Sequence, residues 1–133
     1  MPFSFVYFFN ESLLTLSSFI EVLMEIQTQI SGKFWDATDA AMSIEVAEHI
    51  PAEYEEAFIN NLVNSARHLI FLSWGVPGQG GEGHVNGQWG EDVVKKMNQR
   101  GWKRNNDYTQ RLQNDAEFEW LKQNVQVFQR NKD

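Results

Sequence analysis

Apolar and polar residues alternate with regular periods along most of the chain, and these periods predict where its helices and strands lie. Between positions 13 and 30, apolar residues recur every three or four positions, which is the stripe of an amphipathic helix. We predict a helix over residues 11–30, with Asn10 as its N-cap. The apolar run MPFSFVYFF before it lacks the basic region and cleavage site of a secretory signal. Charged residues also interrupt the stretch of about 20 apolar residues that a transmembrane segment needs, so none is expected.

From residue 36 onward, short apolar runs alternate with helical patterns. The runs predict strands at about 40–46, 68–74, 102–105 and 123–129. Between them, helical patterns follow Pro51 and occupy residues 91–99 and 108–116. Leu69–Ser73 is the most apolar run, which would suit the centre of a parallel sheet. The alternation predicts an α/β fold.

The segment 75–90 is predicted to be a long loop, because it contains Pro77 and many glycines. Ligands of open α/β sheets bind outside the carboxyl ends of the strands. Both EVAEH, at 45–49, and GVPGQGGEGH, at 75–84, follow such ends. We favour a ligand site here, with glycines that allow the backbone to approach the ligand closely. The alternative is a flexible surface loop.

Composition and charge narrow the classes of partner. The chain has 133 residues, enough for one domain, and a net charge of −7, so it has no broad basic field for DNA. Its one basic cluster is more typical of a solvated helix face and consists of Lys95, Lys96, Arg100, Lys103 and Arg104. Cysteine is absent, which removes disulfides and thiolate chemistry. We expect a cytoplasmic protein.

Carboxylates and imidazoles are concentrated at the two strand ends. Glu45, Glu48 and His49 follow the first strand of the pair, and His84 lies in the loop after the second. These are the side chains that bind divalent ions. Trp74 stands at a strand end beside the glycine loop, where it could stack on an aromatic ligand. His68, by contrast, stands at the boundary of the strand predicted at about 68–74 and is predicted to be an exposed loop residue rather than a ligand.

These segments carry a resemblance to a known family. EVAEHIP after a strand, INNLVNSARHLIFLSW, PGQGGEGHVN and the terminal WLKQNVQVFQR together resemble the C-terminal half of a class I S-adenosylmethionine-dependent methyltransferase. The resemblance covers roughly residues 39–130. It implies a partial Rossmann-like methyltransferase sheet with flanking helices in residues 36–133. Residues 1–35 would then be an N-terminal amphipathic helical segment outside the match.

The resemblance implies transfer of a methyl group from S-adenosylmethionine to an acceptor, a small molecule or another compound. Two groups with E-V-x-E-H, the ubiquinone-pathway O-methyltransferases and the small-RNA 2′-O-methyltransferases, bind a divalent ion there. Their pattern places catalysis at Glu45, Glu48 and His49, and metal at those three and His84. Cofactor contacts would come from Glu45, below the methionine amine, and from Trp74. The alternative is that the acid fixes the loop and the histidine caps a helix, without metal.

One departure from the family pattern concerns the cofactor. The family holds S-adenosylmethionine mainly through a glycine-rich turn after the first strand, yet Gly32 is the only glycine in the first 74 residues. The second hypothesis is therefore a non-catalytic, truncated pseudo-enzyme. It would act as an interaction or metal-binding module and would self-associate or pair with a partner subunit.

Overall fold

A computed structural model describes residues 5–9 and 38–132, with side chains for 38–132. The chain forms a mixed sheet flanked by helices. Its strands are β1 Phe5–Phe9, β2 Thr38–Ile44, β3 Ala66–Ser73, β4 Trp102–Arg104 and β5 Val125–Arg130. Its helices are α1 Glu55–Asn64, α2 Gly90–Asn98, α3 Asn106–Asp115 and α4 Glu119–Asn124.

The strand order of the five-stranded sheet is β1-β2-β3-β5-β4. Strands β1, β2 and β3 are parallel, and β5 runs antiparallel to both of its neighbours, β3 and β4. The connection from β2 to β3 contains α1, as a parallel crossover requires. Since parallel strands end at the same edge of a sheet, the segments that follow β2 and β3 emerge side by side.

Both faces of the sheet are covered, which explains the nearly continuous apolar runs of its inner strands. On one face, β2, β3 and β5 pack against α3 and α4 through Leu112, Ala116 and Leu121. On the other face, residues of the same strands pack against α1 and α2 through Ile59, Leu62 and Met97. Alternate residues of β2 therefore face different helices, as the two-residue period of a strand dictates.

The predicted α/β class and the four predicted strands are confirmed, with changes at their ends. β2 ends at Ile44 because Glu45 has a φ of 58°, which leaves the extended conformation. The helix predicted after Pro51 begins with a 3-10 turn, Ala52–Tyr54, before α1. The loop prediction is confirmed, since no helix or strand lies between β3 and α2.

Three further details differ from the sequence expectations. His68 is half-buried inside β3 rather than in a loop, because the ladder with β2 extends back to Ala66. The short helix α4 was not predicted. Strand β3 is the middle strand, but it has one antiparallel neighbour, so the sheet is mixed rather than parallel at its centre.

The N-terminal segment contributes a strand that the apolar pattern did not predict. Phe5–Phe9 pairs in parallel with β2 from Phe5↔Ala40 to Phe9↔Ile44. The helix predicted over residues 11–30 lies outside the described residues. Among the helices that are described, none is both long and apolar enough to cross a membrane.

Candidate metal centre

Glu45, the first residue after β2, is joined to the end of β3 by two hydrogen bonds. Its amide donates to Ser73 Oγ at 2.8 Å, and Ser73 Oγ donates to Glu45 Oε1 at 3.1 Å. Burial, followed by the adjacent Glu48 carboxyl, raises the pKa of Glu45 to about 7, while Ser73 and His84 act in the opposite direction. The two strand ends are therefore fixed to each other at the carboxyl edge.

Glu48 lies in a 3-10 turn, Ala47–His49, and is fully buried. Its main-chain carbonyl accepts hydrogen bonds from the amides of Val85 at 2.9 Å and Asn86 at 3.0 Å, which bind the glycine-rich loop to this turn. Apart from the neighbouring Glu45 carboxyl, no described residue hydrogen-bonds either carboxylate oxygen. A buried carboxylate without such a partner is costly, so the position fits a carboxylate that binds a cation.

The two histidines approach Glu48 from different segments. His49 Nδ1 lies 3.0 Å from the carbonyl oxygen of Gly83. Because a carbonyl only accepts, Nδ1 donates to it, and in the neutral tautomer that has this proton the lone pair is on Nε2. His84 Nε2 lies 3.8 Å from Glu48 Oε1, and the two imidazole rings are edge to face with centroids 4.8 Å apart.

Three of the four predicted metal ligands thus lie together. One ligand atom each from Glu48, His49 and His84 falls within 4.8 Å of the other two, and the described residues contain no second group of this kind. Glu45 borders this triad, close enough to act electrostatically on Glu48 and His84. Two imidazole nitrogens and one carboxylate oxygen suit a divalent transition ion such as Zn²⁺, Mn²⁺ or Fe²⁺.

Glycines of the loop line the histidines closely. A Cβ at Gly81 would lie 2.6 Å from His84 Nε2, and one at Gly83 would lie 3.1 Å from His49 Nδ1. A Cβ at Gly75 would lie 3.2 Å from His84 Cε1 and 3.3 Å from Glu48 Cγ. The glycines predicted to allow close approach to a ligand therefore allow close approach to the imidazoles that would hold one.

A second set of contacts, which sequence reasoning missed, anchors the loop to α1 and α2. Glu55 Oε1 accepts hydrogen bonds from Asn86 Nδ2 at 3.0 Å and Gln88 Nε2 at 3.4 Å, while Lys96 binds its other oxygen. Burial raises the pKa of Glu55, but hydrogen bonds from Lys96 and Asn86 outweigh it, so the net pKa lies below the ordinary value. An acid at the first position of a helix was the only signal for this role.

Trp74 also anchors the loop. Its side chain is 2% exposed, its Nε1 donates to the Asn86 carbonyl at 2.7 Å, and its ring contacts Phe58 and the Lys96 ammonium. The ring is covered in this structure, where it packs in the core between β3 and α1. Its stacking on a cofactor stays a prediction that needs the ring to be uncovered.

Comparison with known proteins assigns neither a family nor a function to this site. No protein-family model, no curated protein sequence and no solved structure matches the chain. The candidate centre is therefore defined by its own residues.

Proposed function

We propose that this chain is a metal-dependent, methyltransferase-like domain. A divalent ion would be bound by Glu48, His49 and His84, and a methyl group would pass from S-adenosylmethionine to an acceptor hydroxyl beside it. The observation that carries the metal part is the fully buried Glu48 carboxylate, which faces two imidazoles and has no hydrogen-bond partner among the described residues except the Glu45 carboxyl. The methyl-transfer part rests on the resemblance of EVAEHIP and PGQGGEGHVN to that family.

The hydrogen bond of His49 and the burial of Glu48 support the proposed metal binding. His49 is held by Gly83 so that Nε2 is available, which is how outer-shell carbonyls orient metal-binding histidines. Glu48 brings the negative charge that offsets a divalent cation in a buried position. A bound divalent ion would polarise an acceptor hydroxyl and lower its pKa.

The proposed reaction would take place at the carboxyl edge of the sheet, beside the candidate metal ligands. Transfer would break the bond between the methyl carbon and the cofactor sulfur and would form a bond from that carbon to the acceptor oxygen. The hydroxyl proton would be released, and we assign the Glu45 carboxylate as the group that would accept it. The products would be S-adenosylhomocysteine and a methyl ether.

A second candidate, a metal-binding module without methyl transfer, is favoured by one observation at β1. The three residues that follow that parallel strand in the sequence are Asn10, Glu11 and Ser12, and none of them is a glycine. The methyltransferase resemblance would require a glycine-rich turn for the cofactor after its first strand. In this candidate function the same residues bind the metal ion, and S-adenosylmethionine is not bound.

Calorimetric titration distinguishes the two candidates. The protein is first titrated with Mn²⁺, and then with S-adenosylhomocysteine in the presence of Mn²⁺. Heat in both titrations supports the methyltransferase, and heat with Mn²⁺ alone supports the metal module. The absence of heat in both contradicts both. Glu48→Gln should lose the Mn²⁺ signal, whereas Glu53→Gln, which makes the same change at an exposed position in the next turn of the chain, should keep it.

A further inference from the structure

Ser73, the last residue of β3, uses its hydroxyl both to accept a hydrogen bond from Glu45 and to donate one to it. The hydroxyl accepts from the Glu45 amide at 2.8 Å and donates its single proton to Glu45 Oε1 at 3.1 Å. Ser73 is itself fully buried. The pair spans from β3 to the turn after β2, just beyond the ladder position Ser43↔Leu72.

The residue that Ser73 holds has an unfavourable backbone conformation. Glu45 is the only described non-glycine residue with a positive φ, at 58°. A side chain in the left-handed region is disfavoured, and it persists only where the surroundings hold it. The hydrogen bond from the Glu45 amide to Ser73 is a contact that does so.

The direction of the Glu45 side chain also needs an external constraint. Its carboxyl lies beside two members of the triad, Glu48 and His84. The Glu48 carboxyl hydrogen-bonds the Glu45 carboxyl when the two share a proton, but two ionised carboxylates repel each other. The Ser73 hydroxyl opposes this by donating to Oε1.

We propose that Ser73 is a positioning residue of the metal centre. Its hydroxyl holds the left-handed Glu45 and directs the Glu45 carboxylate, as a further oxygen ligand, toward an ion bound by Glu48, His49 and His84. This inference rests on the proposed metal site and adds a residue that touches no ligand itself. Hydrogen-bond partners of this kind typically change metal affinity by about 10- to 100-fold when they are removed.

A double-mutant cycle tests the inference by measuring Mn²⁺ affinity in the intact chain. The variants are Ser73→Ala, Glu45→Gly and the two combined. Glycine suits the positive φ of position 45, so Glu45→Gly removes the carboxylate without adding backbone strain. Ser73→Ala alone should weaken Mn²⁺ binding by about 10- to 100-fold. In the Glu45→Gly background it should have little further effect, because Ser73 acts through Glu45.

Two further readouts separate positioning from general destabilisation. Ser73→Thr retains the hydroxyl and should restore most of the affinity. The visible absorption of bound Co²⁺, which reports coordination number, should change in Ser73→Ala and return in Ser73→Thr. The melting temperature without metal shows whether each variant is folded.

The outcomes are distinct from those for the metal site itself. If the unaltered protein binds no Mn²⁺, the metal site and this inference both fail. If it binds Mn²⁺ and Ser73→Ala binds equally well, only the role of Ser73 is overturned. Equal weakening by Ser73→Ala in both backgrounds overturns it as well.

Discussion

His84 Nε2 lies 3.8 Å from Glu48 Oε1, across the two loops that follow neighbouring parallel strands. The main-chain carbonyl of Glu48 also accepts hydrogen bonds from the amides of Val85 and Asn86. One residue therefore holds the glycine-rich loop with its backbone and faces the histidine of that loop with its side chain. We infer that metal binding and the folding of this loop are coupled.

Replacing Glu48 should have opposite effects with and without metal. Glu48→Gln replaces a fully buried charge, which no described residue except the Glu45 carboxyl hydrogen-bonds, with a neutral amide, so the metal-free protein should become more stable by about 1 kcal/mol. The same variant should lose the rise in melting temperature that Mn²⁺ or Zn²⁺ gives. Thermal unfolding in a chelator and in excess metal measures both effects.

The matched control for this change is Glu53→Gln, because Glu53 is exposed. It should leave stability within about 0.5 kcal/mol and keep the metal-induced rise. A Glu48→Gln variant that is stabilised by metal as much as the unaltered protein would contradict the assignment of Glu48 as a ligand.

Gly80 and Gly83 have nearly the same backbone conformation, so alanine substitutions at these two positions distinguish backbone strain from a steric contact with His49. Gly80 has a φ of 82° and open space where a Cβ would lie, whereas Gly83 has a φ of 77° and a Cβ there would lie 3.1 Å from His49 Nδ1. Alanine at either position should cost about 1–2 kcal/mol of backbone strain. Only Gly83→Ala should also displace the His49 ring.

Metal affinity is the measurement that tells these two variants apart. Gly83→Ala should weaken Mn²⁺ binding by about 10-fold or more, since the carbonyl that orients His49 moves with the added methyl group. Gly80→Ala should bind as the unaltered protein does. Equal affinities for the two variants would show that the loop backbone does not orient His49.

Glu55 should give the protein a specific acid sensitivity. Its pKa is lowered in the folded state, so it contributes stability above the ordinary value of 4.5, and this contribution is lost as pH falls through the folded pKa. Glu55→Gln should cost about 1–2 kcal/mol at pH 7, because hydrogen bonds to a charged group are lost. The difference from the unaltered protein should shrink in acid. Denaturant unfolding at a series of pH values measures it.

Glu56→Gln is the control for Glu55. Glu56 is the adjacent acid and pairs with Arg100, but its side chain is 75% exposed, so its loss should change stability by less than about 1 kcal/mol. Identical pH profiles for the two variants would contradict the role of Glu55 in anchoring the loop.

The sequence predicted the meeting of Glu48, His49 and His84 because parallel strands end at one edge and both motifs follow such ends. It did not predict Ser73, because its contact with Glu45 depends on the register between β2 and β3. The left-handed Glu45 gave no signal either, since glutamate rarely adopts that conformation.

The elements that were missed have similar physical explanations. Strand β1 was not predicted, because an apolar run without alternation does not distinguish a strand from other apolar segments. Helix α4, Glu119–Asn124, is too short for a helical period to be visible. His68 was placed in a loop because it is polar, although the strand begins before it at Ala66.

The most direct test of the metal centre is X-ray absorption spectroscopy of the protein loaded with one equivalent of Zn²⁺. We predict one tightly bound ion per chain, with multiple scattering from two imidazole rings and with oxygen ligands. His84→Ala should reduce this to one imidazole. A spectrum without imidazole scattering, or one that His84→Ala leaves unchanged, would contradict the centre formed by Glu48, His49 and His84.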